Sequence, residues 1–170
     1  MTQQRESLHP MPKLLQAAAT SGPLRASTYT IALHSEKAPE FMDITDSVRS
    51  AVRESGVAIG FAVVYSKHTT AAIKVNEWEP LLLQDMERFL GRIAAPDDNY
   101  LHNDFTIRTV NMNEDECPNG HAHCQHLVLS TSETLPIVGG RPQLGQYQRV
   151  FMVELDRPRA REAIVVVLGV

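Results

Sequence analysis

Strand-like patterns of hydrophobic residues occupy three stretches in the first half of the chain. Residues 29–33 alternate between apolar and polar or small side chains and predict an opening strand. Residues 57–65 are rich in β-branched and aromatic side chains and carry no charge, which predicts a buried central strand. Residues 73–75 alternate again, so a further strand is expected to follow the central one closely.

The second half of the chain shows more strand-like segments. Residues 106–110 alternate, and apolar runs at 150–155 and 164–168 lie on either side of a polar turn at 156–159. The two adjacent glycines within residues 137–141 predict a tight hairpin, because a two-residue hairpin turn needs positive φ angles. The sequence therefore predicts a chain made mainly of strands separated by turns.

One amphipathic helix is predicted between the opening strand and the central strand. Thr45 is expected to cap its first turn, Asp46 to lie at its positive end and Gly56 to end it in the left-handed conformation. Four apolar residues recur at helical spacing on its expected buried face: Ile44, Val48, Ala51 and Val52.

Two further segments are candidates for helices. One is expected to have Pro80 in its first turn and Gly91 just past its end. Its expected apolar stripe consists of Leu82, Met86, Phe89 and Leu90. The segment that begins at Asn119 fits either a short helix or a strand on which His121 and His123 point the same way, and the helix is slightly favoured.

Strands outnumber helices and do not alternate regularly with them, so the predicted fold class is α+β. We expect a single domain with an antiparallel, sandwich-like sheet and two main helices. The chain of 170 residues suits one such domain. Residues 1–27 are expected to be a flexible N-terminal extension, and residues 28–170 are expected to form the domain.

Composition narrows the classes of partner. A formal net charge of -4 and a pI near 6.0 argue against a broad basic face for nucleic acid or for anionic lipid. No apolar stretch approaches the length needed to span a membrane. Cys117 and Cys124 are interpreted as reduced thiols, which together with the lack of a secretion signal predicts a cytoplasmic protein.

Five of the seven histidines lie at predicted junctions between elements, where active sites are usually assembled: His68, His102, His121, His123 and His126. His68 is followed by Thr69 and Thr70, and an imidazole beside two hydroxyls suits a phosphate or a polar substrate. Asn76 and Glu77 lie at the far end of the next strand and are expected to approach the same region. The alternative is that both threonines are ordinary strand residues and His68 is a surface turn residue.

Residues that ligate metals or bind anions cluster again after Asn119. Backbone amides near Gly120 would bind an anion if this segment is a helix. His121 and His123 beside Cys124 are good transition-metal ligands, but their spacing matches no familiar structural zinc site. A histidine acting as a general acid or base, or as a phosphate contact, remains an alternative.

A last polar cluster contains Gln148, Arg159 and Arg161. The two arginines have the fork geometry to bind phosphate or carboxylate oxygens. The alternative is that they pair with Asp156 and Glu162 at the surface.

Six motifs occur in an order that resembles one protein family: His68-Thr69-Thr70-Ala71, Asn76-Glu77, Tyr100-Leu101-His102, Asn119-Gly120-His121-Ala122-His123, Leu144-Gly145-Gln146-Tyr147-Gln148 and Glu154-Leu155-Asp156. Together they resemble the YjbQ family, whose members are also described as secondary thiamine-phosphate synthases. The resemblance runs from about Tyr29 to the C-terminus. It departs from the usual pattern at Tyr147, where the family has Trp, and at Arg157, where the family has Gly.

The resemblance implies a compact, β-rich α+β fold that assembles as a homotrimer with sites near the subunit boundaries. It also implies a weak thiamine-phosphate synthase activity, in which a pyrimidine methyl diphosphate joins a thiazole phosphate and diphosphate leaves. The family's motif residues would make four side chains catalytic: His68, Glu77, His102 and His123. Seven residues would bind the substrate or its phosphate: Thr69, Thr70, Asn76, Asn119, Gly120, Gln148 and Arg159.

A diphosphate leaving group needs its charge neutralised, either by a divalent metal such as magnesium or zinc or by cationic donors. His68, His102 and His123 are the candidate metal ligands. The sequence shows no obvious Asp-rich magnesium site, which fits a secondary activity better than a primary one. Two alternatives stay open: a metal-dependent hydrolase or lyase acting on another small phosphorylated metabolite, and a non-catalytic module that binds such a metabolite.

Overall fold

Two antiparallel sheets and three helices make up the described part of the chain, residues 19–170, in the computed structural model. The strands are β1 (Arg25–His34), β2 (Glu40–Asp43), β3 (Ile59–Ser66), β4 (Ala71–Glu77), β5 (Ser132–Val138), β6 (Arg141–Pro142), β7 (Gln148–Glu154) and β8 (Ala160–Gly169). The helices are α1 (Thr45–Ser55), α2 (Pro80–Ile93) and α3 (Gly120–His126), and a single 3-10 turn spans Leu101–Asn103.

The larger sheet has the strand order β1-β8-β3-β5-β6, and the smaller sheet has the order β2-β7-β4. Every pairing in both sheets is antiparallel, from Arg25 opposite Gly169 in the large sheet to Ala71 opposite Glu154 in the small one. The predicted α+β class with antiparallel, sandwich-like sheets is therefore confirmed. None of the helices in residues 19–170 is long and apolar enough to span a membrane.

The apolar core is built from both sheets together with α1. Its fully buried members include Val64 of β3, Val165 of β8, Ile73 of β4, Met152 of β7 and Val52 of α1. The amphipathic pattern of α1 is thus explained, because its apolar stripe packs into this core.

A second cluster covers the outer face of the small sheet. Phe151 of β7 packs there with Leu90 of α2, Ala122 of α3 and Leu155, and its ring lies 5.5 Å from that of Trp78. Strand β7 is therefore buried on both of its faces. The residue that ends it is consequently held in a fixed position.

The glycine predictions for tight turns are confirmed. Gly139 and Gly140 connect β5 to β6 with φ angles of 59° and 70°, as the predicted hairpin turn requires. Gly56 follows α1 with a φ of 67°. The segment after Asn119 is also a helix, as favoured, rather than a strand.

The predicted start of α1 and the predicted end of α2 are wrong in detail. Thr45 does not cap α1: it is the first helical residue, and its hydroxyl oxygen accepts the backbone N–H of Val150 at 2.9 Å. Gly91 lies inside α2, which continues to Ile93. The expected stripe on α2 is also mostly uncovered, because only Leu90 is fully buried and Phe89 is 54% exposed.

The predicted strand at 106–110 is absent, and these residues form turns and irregular structure instead. Asp104 accepts hydrogen bonds from both the backbone N–H and the hydroxyl of Thr106, which bends the chain. Arg108 then donates to the carbonyls of His102 and Asn111. These local hydrogen bonds replace the backbone hydrogen bonds that a neighbouring strand would supply.

Two predicted strands also differ from the structure, one in its burial and the other in where it begins. The central strand β3 is buried on one face only, because Phe61 and Tyr65 are 41% and 43% exposed on the other. Strand β1 begins at Arg25, so the sheet takes in the last residues of the predicted extension. The extension up to residue 18 lies outside the described residues.

Candidate functional site

A cleft of about 760 Å³ lies where three parts of the chain meet. The β3–β4 turn supplies Lys67, His68, Thr69 and Thr70 to its wall, and the region after β7 supplies Arg157, Arg159 and Arg161. The long segment between α2 and β5 supplies the remaining lining residues, among them His102, Arg108, Asn119 and His123.

The β3–β4 turn is closed by Ser66, the last residue of β3. The hydroxyl of Ser66 donates to the carbonyl of Ala71 at 2.6 Å and accepts the N–H of His68 at 3.3 Å. Nε2 of His68 accepts the backbone N–H of Glu162 on β8 at 3.1 Å. Burial lowers the pKa of His68 and the Arg161 guanidinium lowers it further, so the imidazole is neutral at neutral pH.

The carboxylate of Glu154 organises the β7–β8 turn. It is fully buried and binds Arg161 with two hydrogen bonds, of 2.5 Å from Nε and 2.6 Å from Nη2. It also accepts the hydroxyl of Ser35 and three backbone N–H groups, those of Leu155, Asp156 and Arg157. Nη2 of Arg161 donates in addition to Oγ1 of Thr70 at 2.9 Å, so the two turns are joined through this ion pair.

A second ion pair sits on the same turn. Arg159 donates to the buried carboxylate of Asp156 at 2.8 Å, and the thiol of Cys117 lies 3.8 Å from the other oxygen of that carboxylate. Burial and the Asp156 charge raise the pKa of the Cys117 thiol, which therefore stays protonated. Ser35 holds the backbone of the turn by accepting the N–H of Arg159 at 2.9 Å.

The cleft also carries two adjacent imidazoles. The rings of His102 and His123 meet edge to face, with their centroids 4.7 Å apart. Burial lowers the pKa of His123, and the neighbouring His102 lowers it further. Nε2 of His102 and Oδ1 of Asn119 are buried without a hydrogen-bond partner among the described residues.

Position 120 requires a glycine for a structural reason that the sequence did not reveal. Its backbone N–H donates to Oδ1 of Asn103 at 2.9 Å, so this amide is already used. A Cβ at this position would come within 2.6 Å of the Tyr100 side chain. The glycine therefore allows α3 to lie against the segment that carries His102.

An inner ion pair fixes the irregular segment between α2 and α3. Nη1 of Arg108 lies 3.1 Å from Oε1 of Glu116, and each side chain is only 12% exposed. Glu116 also accepts the backbone N–H of Asn113. The Arg108 side chain lowers the pKa of Glu116 against the opposing effect of burial. Arg108 is thereby held at the wall of the cleft.

The structure brings together seven of the predicted site residues: His68, Thr69, Thr70, His102, Asn119, His123 and Arg159. It does not bring Asn76, Glu77 or Gln148 to this cleft. Glu77 pairs with Gln148 at the other end of β4 and β7, about 20 Å along the strand from Ala71. The Gln148 side chain instead accepts the N–H of Gly145 and closes the turn before β7.

Within residues 19–170, no three His, Cys, Asp or Glu side chains lie close enough together to hold a metal ion. His102 and His123 are adjacent, but Nε2 of His68 is engaged by the backbone of Glu162. A metal held by all three histidines would therefore have to bind His68 through Nδ1. Both cysteines are free thiols.

Sequence reasoning missed several residues that build the site. The sequence pattern places Arg108 on a strand and gives no sign of the role of Ser35. Of the partners left open for the two arginines, Arg161 binds a carboxylate, that of Glu154, and Arg159 pairs with Asp156. The signal for the first pairing was a glutamate directly after the apolar run 150–153, where a buried carboxylate needs a cationic partner.

The fold and the cleft together define a small α+β protein with a histidine-lined cationic site. Residues 29–170 match the model of a family described as UPF0047 protein YjbQ-like, so the chain belongs to the YjbQ/UPF0047 family. Its relatives include a UPF0047 protein of Methanothermobacter thermautotrophicus. The two are 34% identical over 142 residues, which cover 84% of this chain and 92% of the relative.

Solved structures show the same fold. A YbjQ-like protein from Sulfolobus solfataricus, described as being of unknown function, superposes with a TM-score of 0.78 at 30% identity, over 87% of this chain and all of that one. A hypothetical protein from Aeropyrum pernix superposes with a TM-score of 0.75 at 33% identity, over 85% of this chain and 99% of that one. The whole described domain therefore has counterparts of nearly equal length.

Proposed function

We propose that the chain binds a small phosphorylated metabolite in the cleft and acts on it as a weak, thiamine-phosphate synthase-like transferase. The observation that carries this proposal is the joint lining of one cleft by three histidines and five cationic side chains: Lys67, Arg108, Arg157, Arg159 and Arg161. Cationic forks and neutral imidazoles are the groups that bind phosphoryl oxygens and transfer protons near them.

In the proposed reaction the bond between the pyrimidine methylene carbon and the diphosphate oxygen breaks, and its electron pair leaves with diphosphate. The thiazole nitrogen forms the new bond to that carbon. Positive side chains at the cleft would stabilise the leaving charge, and the Thr69 and Thr70 hydroxyls would donate hydrogen bonds to it. His102 and His123 also line the cleft, where proton transfer to or from the heterocycles would take place.

The charge arrangement favours a secondary role for this activity. Among the described lining residues the carboxylates are Asp115 and Glu116, and each is paired with an arginine. The described lining therefore lacks the group of unpaired carboxylates that a dedicated diphosphate-releasing enzyme would use to bind magnesium.

A second candidate is a metal-dependent hydrolase or lyase acting on a small phosphorylated metabolite. One observation favours it: Nε2 of His102 is buried beside the ring of His123 and has no hydrogen-bond partner in residues 19–170. An orphaned imidazole nitrogen next to a second imidazole is suited to zinc or another transition metal. A metal there would supply a Lewis acid or an activated water, while the cationic wall would hold the phosphate.

Turnover of the two thiamine precursors by purified protein tests the first candidate. We expect product formation that falls about 100-fold in His68→Ala and in His123→Ala, because each removes a side chain from the cleft. His34→Ala, at an exposed histidine of β1, is the matched control and should keep wild-type turnover.

Metal analysis of the same protein samples separates the two candidates. A stoichiometric transition metal that is lost in His102→Ala and in His123→Ala, without synthase turnover, would favour the hydrolase or lyase. Equal product from wild type and from His68→Ala would rule out the cleft as the site of synthesis. Ligand-dependent thermal stabilisation without consumption of any substrate would point to the binding module.

We also propose that the chain works in the cytoplasm. We further propose that it forms a homotrimer, as the resemblance implies. Asn76, Glu77 and Gln148 lie far from the cleft of their own chain. In a trimer they would reach a cleft only across a subunit boundary, so their assignment to the site depends on this assembly.

A further inference from the structure

The hydrogen bond between His68 and β8 determines where the proton of this imidazole lies. Nε2 accepts the backbone N–H of Glu162 at 3.1 Å, so this nitrogen must present a lone pair. The remaining proton of the neutral ring is then on Nδ1. Nδ1 has no hydrogen-bond partner within residues 19–170, and the side chain lines the cleft, which leaves an N–H group available to a ligand.

The direction of the Thr70 hydroxyl proton is also determined by a hydrogen bond. Its oxygen accepts Nη2 of Arg161 at 2.9 Å, and Arg161 is fixed by two hydrogen bonds to the buried Glu154. The hydroxyl proton therefore has to point away from the guanidinium. Thr70 also lines the cleft, so this proton is a second donor available to a ligand.

The carboxylates around these two residues are already used as acceptors. Glu154 is saturated by Arg161 and by the backbone of the β7–β8 turn. Asp156 accepts from Arg159 and from the Cys117 thiol. Glu162 is paired with Lys67 at 2.6 Å. These three carboxylates are thus engaged within the protein, whereas the donors of His68 and Thr70 are available to a ligand.

We propose that His68, as its Nδ1–H tautomer, and Thr70 form with Arg159 a donor-only subsite for unprotonated phosphoryl oxygens. This inference rests on the proposed function and assigns the diphosphate end of the ligand to this end of the cleft. His68 is then a hydrogen-bond donor to the leaving group rather than the general base. A neutral hydroxyl or amino group is expected to bind less well here than a phosphoryl oxygen, because the carboxylates at this end of the cleft are already bonded within the protein.

Long-range proton–nitrogen NMR correlations of the histidine rings test the tautomer directly. The expected pattern for His68 in the free full-length protein is that of a neutral ring protonated on Nδ1. Assignment of the signal uses its disappearance in His68→Gln. A pattern showing the proton on Nε2 would overturn the inference, whatever the protein binds.

Calorimetric binding of inorganic diphosphate tests the subsite with a matched pair of variants. His68→Asn places an amide N–H near the position of Nδ1, whereas His68→Gln reaches the position of Nε2 and leaves no donor at Nδ1. We expect diphosphate affinity to stay within about threefold of wild type in His68→Asn and to fall about tenfold or more in His68→Gln. Thr70→Ser, which keeps the hydroxyl, should bind better than Thr70→Val.

The possible failures are distinguishable. Equal affinities of wild type and His68→Gln for diphosphate would overturn the subsite. Wild-type protein that binds the thiazole phosphate but not diphosphate would overturn the subsite and leave the proposed function standing. Protein that binds neither compound would overturn the proposed function and the subsite together.

Discussion

Buried histidines are the residues whose charge state depends most on this fold. Burial is the largest influence on His68, His121, His123 and His126, and it lowers the pKa of each from an ordinary value near 6.5. Nε2 of His126 is also buried without a partner among the described residues. The neutral form of these rings is therefore part of the native packing.

This burial predicts a loss of stability in mild acid. Below pH 6.5 the unfolded chain binds protons that the folded chain resists, so the free energy of unfolding falls as the pH falls through and below that value. His126→Leu should reduce this slope, by less than the limit of about 1.4 kcal/mol per pH unit set by one proton. Urea unfolding at several pH values measures it. His34→Leu, at an exposed position, should leave the slope unchanged, and an unaltered slope in His126→Leu would contradict the prediction.

At the scale of elements, the β7–β8 turn shows how a strand end becomes part of a site. Strand β7 is buried on both faces, so Glu154 at its end has no path to water. Its charge is compensated by Arg161 at the start of β8, and its Oε1 accepts hydrogen bonds from three backbone N–H groups of the turn. The same arginine holds Thr70 in the neighbouring turn.

Glu154→Gln should therefore destabilise the protein strongly. An amide that keeps its oxygen towards the turn must place its NH₂ group against Nε of Arg161, which leaves a buried guanidinium without a counter-charge. The expected cost is about 3 to 5 kcal/mol in the free energy of unfolding, measured by chemical denaturation. Glu162→Gln breaks the exposed pair with Lys67 instead and serves as the control. Similar effects of the two substitutions would contradict this account.

The elements themselves were largely predictable from the sequence. Periodicity located α1 and most strands, because each buries one face in a common core. It also located α2, although only Leu90 of the expected stripe is buried, in the second cluster. Residues 106–110 have the same alternation but no neighbouring strand to pair with, and periodicity cannot report a missing partner. For the site, the motif containing His68 was recognisable. Arg108 instead acts through bonds to nearby irregular backbone, and Ser35 acts through a contact with the distant β7–β8 turn, so hydrophobic periodicity encodes neither role.

At the scale of the whole molecule, one face of the large sheet is left uncovered by residues 19–170. Most of the side chains that alternate outward on β3 and β8 are apolar, and Phe61, Tyr65 and Val166 among them are 36% to 43% exposed. The other face of the same strands is fully buried. Contiguous exposed apolar surface of this kind is typical of contacts between subunits.

If this face joins the proposed homotrimer, a charge placed on it should dissociate the assembly. Val166→Arg is expected to shift the mass measured by light scattering towards that of a single chain of 18.9 kDa. Ser47→Arg, at an exposed position on α1, should keep the wild-type mass. A trimer that survives Val166→Arg would mean that the subunits meet through another surface.

The position of β8 between β1 and β3 has a consequence for how the molecule is made. Residues near the two ends of the described chain are neighbours, since Arg25 lies opposite Gly169. Strand β3 can pair with β5 at once, but β1 cannot join the large sheet before β8 arrives, because β8 is its neighbour in the strand order. Pairing over such a span closes a long loop, which slows folding. During synthesis β8 must emerge from the ribosome before β1 can join the sheet. Because Arg161 on β8 also orients Thr70, we expect that no partly made chain binds ligand.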